Sequence, residues 1–230
     1  MSTKQTILAV LIAMPVLAAS PRFDMKVRND FFAGFSGNGE ALARGMTVAE
    51  ATIAANEPEA PEAMAWHGGA LMYLSGQKFQ QGDSNSGMQL WAQGLDEMNK
   101  AGDLAPRSVA VLVPRAATWL AISRFVPPAQ GRPLIEKGVA DYEKVYEIQS
   151  AVFDKLGDHP RGELLFGIAD GYARLENKEK AAQWFGKLAS LGAVSGHFDQ
   201  AKLYLQAGKY EVKGTGCVGC HVPAKTAGNQ

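Results

Sequence analysis

Apolar residues recur along most of this chain at spacings of three and four, the period of a helix with one covered face. The clearest stretch runs from Gly162 to Ala193, where Leu165, Ala169, Tyr172, Ala181, Phe185 and Leu188 follow one another at intervals of 4, 3, 9, 4 and 3. The long interval is where one helix ends and the next begins. A similar pattern shows at Trp66, Ala70 and Tyr73 followed by Trp91 and Leu95, with about five extra residues assigned to a turn at Gly76–Ser86. Residues 106–150 form a looser unit: Ala117, Leu120 and Phe125 precede Pro127-Pro128, and Gly138, Tyr142 and Val145 follow. Alternating β-branched runs and hairpin signals are missing. The pattern predicts an all-α fold with helices near 24–36, 39–56, 61–76, 85–101, 106–124, 133–155, 160–174, 178–191 and 196–209. Thr47 with Glu50 three residues on reads as a capping box, which would restart the second helix at Met46-Thr47.

Small and aromatic residues at these intervals, on either side of a turn, resemble the tetratricopeptide repeat, a helix-turn-helix unit of 34 residues. The resemblance spans roughly residues 24–209 and is best over 162–193. It implies a helix-turn-helix solenoid, with a degenerate first unit over 24–58 and the last helix, 196–209, as a cap. A plain antiparallel bundle is the other reading of the same pattern. In a solenoid the first helices of each pair line the concave face. That would bring Trp66, His67, Trp119 and Arg124 toward one groove, a site for a partner peptide, and leave Trp91 and Trp184 in the core.

Residues 1–20 do not belong to this pattern. Lys4, the apolar run Ile7–Leu17 and the small residues Ala18, Ala19 and Ser20 have the layout of a secretory signal. Cleavage after Ala18 is favoured, which divides the chain into a signal at 1–18, a helical domain at 19–209 and a tail at 210–230. No Cys follows the apolar run to carry a lipid, and the run is short for a bilayer span, so a stable membrane anchor is not expected after cleavage. Export to the periplasm is the implied location. Lys+Arg and Asp+Glu balance at 23 each. This balance gives no basic footprint for nucleic acid.

The tail carries the chain's two cysteines in Gly214-Thr-Gly-Cys217-Val-Gly-Cys220-His221. Cys-x-x-Cys-His is the attachment signature of c-type haem. Two thiols on one short turn can add to the two vinyl groups of a porphyrin, and the adjacent imidazole then reaches the iron. A disulfide within Cys-x-x-Cys and half of a zinc site are the competing readings, and zinc would need a distant histidine. The local sequence resembles the start of a small cytochrome c, whose haem is wrapped by residues that follow the motif. Here nine follow, so that fold is not continued. The resemblance implies one covalent haem c held by Cys217 and Cys220, with His221 as the proximal iron ligand.

The sixth ligand is open. The last methionine is Met98. His67, His159 and His197 carry no motif and read first as surface or capping residues, with His197 the nearest upstream and hence the candidate. The acids Glu136, Asp141, Glu143, Glu176 and Glu179 read as solvated helix faces. No catalytic triad, phosphate loop or metalloprotease motif is present. The function expected is electron transfer with a protein partner. A haem-independent interaction scaffold and a haem enzyme or sensor with an open iron site are the alternatives.

Overall fold

A computed structural model describes residues 22–193 and 196–209, and the signal region and the whole Cys217–His221 motif lie outside the described residues. The elements are α1 (Phe23–Phe35), α2 (Gly39–Ala54), α3 (Ala60–Gln80), α4 (Ser84–Leu104), α5 (Val109–Ile122), α6 (Pro128–Gln149), α7 (Asp158–Arg174), α8 (Lys178–Ser190) and α9 (Phe198–Ala207). A 3₁₀ turn, Ser150–Lys155, follows α6. The described chain is all-α, as its periodicity predicts, and contains no strand. Among the described residues no helix is long and apolar enough to cross a membrane.

Three of the connections share one piece of backbone chemistry. After α1 the N–H of Gly37 bonds the Gly34 carbonyl, and that of Asn38 reaches back to Ala33. Gly82 and Asp83 do the same to Phe79 and Lys78 after α3, and Glu176 and Asn177 to Ala173 and Tyr172 after α7. Each is a Schellman closure whose first residue has positive φ: 102° at Gly37, 80° at Gly82 and 63° at Glu176. The second residue then caps the next helix. The side chains of Asn38, Asp83 and Asn177 accept from the N–H groups of Ala41, Ser86 and Lys180. One helix stops and its partner starts within three residues, which folds the second back onto the first.

The sequential pairs α1/α2, α3/α4, α5/α6 and α7/α8 pack most extensively, and α3 also touches α1 and α5, as α7 touches α5. The α3/α4 pair crosses where Gly68 faces Gly94. A Cβ on Gly94 would stand 2.7 Å from the Gly68 carbonyl oxygen, and one on Gly68 2.9 Å from that of Gly94. Only hydrogen at both positions permits this approach. The six apolar positions read from Leu165 to Leu188 are all buried. They join Leu120, Val139, Tyr142 and Tyr204 in a core shared by α5 to α9. Burial of each large side chain there contributes about 1.5–3 kcal/mol. A second core, around Phe23, Val27, Phe31 and Leu42, joins α1, α2 and α3.

Several boundaries differ from the expectation. α2 runs unbroken through Met46-Thr47, because the Thr47 hydroxyl donates to the Ala43 carbonyl inside the helix and caps nothing. The extra residues near Gly76–Ser86 extend α3 to Gln80 and leave a short turn. α6 begins at Pro128, ahead of the expected 133: proline at the first helical position lacks only a donor that would be unpaired there.

Candidate functional site

The four side chains expected to line one groove are dispersed. Trp119 has no exposure and is surrounded by Met72, Met98 and Leu134, so it is core. Trp66 is half-buried among the rings of Phe31 and Phe32, 5.4 and 5.8 Å away between centroids. Trp91 and Trp184 pack against core clusters, in keeping with the expectation for them.

His67 is buried as well, contrary to its reading as a surface residue. Its Nδ1 donates to Glu97 Oε2 at 2.7 Å, and its Nε2 lies 3.3 Å from Glu50 Oε1, so one ring joins α2, α3 and α4. Burial by itself would push the imidazole toward neutrality. The hydrogen bond and charge of Glu97, helped by Glu50, outweigh it and raise the pKa above the ordinary value. The sequence did hold a signal. His67 falls three residues after Met64 and four before Leu71, on the covered face.

Asp141 departs in the same way from the solvated-face reading. It sits three residues after Gly138 and four before Val145, buried on the core side of α6. Burial pushes its carboxyl up to about 6, against the attraction of Arg115 and Lys137. Glu136 does lie exposed in an i,i+4 pair with Arg132, and Glu176 and Glu179 are exposed. Glu143 is half-buried and accepts from the Tyr172 hydroxyl at 2.7 Å.

His159 is largely exposed, 4.0 Å from Glu163. His197 occupies the N-cap position of α9 but its side chain does no capping. The ring stacks on Phe166 with centroids 3.9 Å apart, and Nε2 lies 3.0 Å from Glu163 Oε1. Its Nδ1 is buried and has no hydrogen-bond partner among the described residues. Met64, Met72 and Met98 are likewise buried in the core. Among the described residues no cluster of three or more His, Cys, Asp or Glu could hold a metal ion.

At the other end of α9 lies an open cleft of about 620 Å³. Arg124 is the one member of the expected groove that lines it. Its Nη2 donates to the buried Asp170 carboxylate at 2.6 Å. Arg174, one turn beyond Asp170, donates to the Leu120 carbonyl at 3.0 Å and to the Ser123 hydroxyl at 2.6 Å, fastening α7 to the end of α5. Lys178 at the start of α8, Tyr204 on α9, and Gly208-Lys209 complete the rim. Gly208 closes α9 in the left-handed conformation, φ 68°, so the helix ends at the cleft. This clustering was not legible in the sequence, because Arg124 and Asp170 are 46 residues apart.

Comparison with protein-family models, with curated proteins and with solved structures finds no match to this chain in any of the three.

Proposed function

We propose that the protein is an exported c-type cytochrome with a single covalent haem, carried at the end of a helical scaffold and exchanging electrons with a protein partner. The observation that carries this reading is the intact sequence Cys217-Val-Gly-Cys220-His221. The donor set suits the group: two thiols three positions apart for the thioethers, and an adjacent imidazole for the iron. Cys217 and Cys220 would hold the porphyrin, and His221 would be the proximal ligand. When bound, haem supplies one-electron exchange at its iron. The layout of residues 1–20 as a signal supports the same reading, since haem c is attached outside the cytoplasmic membrane of bacteria.

The scaffold is proposed to be a tetratricopeptide-like solenoid. What supports it is the recurrent turn, Schellman closure followed by an Asx cap, after α1, α3 and α7, together with the packing of first helices α1, α3, α5 and α7 on one another. A scaffold of this kind offers a large surface for a partner protein.

Haem staining of the exported, denatured protein tests the reading. Wild type is expected to stain, and Cys217→Ala/Cys220→Ala to lose the stain entirely. Staining that survives the double substitution overturns covalent attachment at these cysteines. An unstained wild type, produced in cells competent to attach haem, would leave the haem-independent scaffold in its place.

A further inference from the structure

We propose that the open cleft between the ends of α5, α7 and α9 and the start of α8 binds a small polar dianion, a dicarboxylate or a phosphate ester, on Arg124, Lys178 and Lys209. The inference goes beyond the haem reading and stands apart from it, because every residue it uses belongs to the helical domain.

Charge leads to it. Cations and acids balance over the whole chain, yet four cationic side chains and two acidic ones line this cleft. The local excess of two positive charges is therefore not inherited from a basic background, and a concave wall concentrates its field on whatever enters. These cations are not all spent on the fold. Asp170 is buried, accepts from Arg124 Nη2 at 2.6 Å and lies 3.5 Å from Arg174. Arg174 also holds the Leu120 carbonyl and the Ser123 hydroxyl, so its guanidinium serves the fold. Arg124 is 32% exposed and makes no further side-chain hydrogen bond among the described residues, which leaves Nε and Nη1 as donors for a ligand. Lys178 and Lys209 are exposed at the rim and have no ion pair among the described residues.

Size and polarity narrow the ligand. The cleft, at about 620 Å³, falls within the range of small-molecule sites. Ala173 and Tyr204 supply its apolar side chains and the other lining side chains are charged. A bulky apolar body would strip water from those charges without replacing it, whereas a hydroxylated or hydrated one would not. Glu176 sets the lower limit on charge. It holds φ 63° at the turn position where the other two closures have Gly37 and Gly82, and its exposed carboxylate at the mouth opposes an entering anion. A dianion can engage two or three of the cations at once and outweigh that repulsion; a single charge gains less.

Titration calorimetry on the full exported chain tests this at about pH 8, where inorganic phosphate and succinate are both dianions. Saturable binding of one equivalent of at least one probe is expected, and acetate should bind at least tenfold more weakly. Lys178→Gln/Lys209→Gln should weaken the dianion at least tenfold. Its helix should persist, because losing a cation in the first turn of α8 suits the helix dipole, and circular dichroism checks this. Lys100→Gln/Lys155→Gln removes the same charge from exposed positions outside the cleft and should change affinity less than twofold. Glu176→Gln should tighten binding at least twofold. Phosphate alone bound assigns a phosphoryl ligand, succinate alone a dicarboxylate, and both together a site that reads charge; each supports the proposal. Saturation by neither probe overturns it. So do acetate binding as tight as the dianions, equal losses from the two lysine pairs, and weakening by Glu176→Gln. None of these results bears on haem staining, so the two readings fail separately.

Discussion

Two buried ionisable centres, one in each half of the molecule, have their pKa raised for opposite reasons. His67 is gripped on both ring nitrogens by carboxylates from neighbouring helices, and their attraction outweighs the burial that would discharge it. Asp141 has a cation 3.3 Å away, Arg115 Nε, yet burial outweighs that attraction. Neither Arg115 Nε nor Asp141 Oδ2 makes a well-directed hydrogen bond among the described residues. Proximity of opposite charges is therefore not enough. The direction of the hydrogen bonds and the water left on the partners decide whether the charged form gains. Glu50 and Glu97 keep part of their hydration, while Arg115 and Asp141 have both lost nearly all of theirs.

The largest effect should come from breaking the poorly satisfied pair. Asp141→Ala strands the Arg115 guanidinium between α5 and α6, and a loss of about 3–5 kcal/mol is expected. The midpoint of urea unfolding reads this. An Arg115→Met/Asp141→Leu double variant should recover most of the loss, since the pair itself contributes little net stability.

Next comes the pH dependence of the same carboxylate. Its folded pKa stands above the unfolded one, so its protonated form stabilises the fold. That contribution is present below the ordinary aspartate value and disappears as pH rises to about 6. The fall is on the order of 2–3 kcal/mol at most. Asp141→Asn should flatten wild type's decline in stability between pH 4 and 6. An unchanged slope would mean that Asp141 is solvated in the fold.

His67→Gln is expected to cost about 2 kcal/mol near pH 6, the scale of hydrogen bonds to charged groups. Here the contribution is complete below the unfolded histidine pKa and fades as pH rises through the raised folded value. The difference between wild type and variant should therefore narrow above neutral pH, in a window distinct from that of Asp141. A difference that stays constant from pH 6 to 9 would show the ring to be neutral throughout. The smallest effect is the exposed reference. Asp30→Ala removes a pair with Arg44 at 2.7 Å, but both side chains are hydrated, and less than about 1 kcal/mol should be lost.

The histidines and acids also show how far sequence reading reaches. The period of Leu165, Ala169 and Tyr172 selects a buried face from local geometry alone, because side chains three and four apart lie on one side of a helix. The same rule, applied to polar residues, marks His67 and Asp141 as inward. Their residue type argued the other way, since isolated ionisable groups belong on solvated faces. The partners that make burial tolerable, Glu50, Glu97 and Arg115, lie 17 to 30 residues away and have no sequence signature.

The sequence by itself determined the helical class and the approximate helix succession, including the turn between Tyr172 and Ala181, and it places two thiols and an imidazole together at Cys217, Cys220 and His221. All of these are properties of neighbours along the chain, where spacing and backbone preference are sufficient causes. Tertiary structure alone decided that Trp119 is core, that His67 and His197 are held by glutamates, and that Arg124 meets Asp170 and Arg174 at the end of α9. The physical reason is that periodicity tells which face of a helix is covered, while the choice of covering helix depends on how closely the two backbones approach. At Gly68 and Gly94 that approach is set by two glycines on different helices, and their meeting becomes visible only when both are folded.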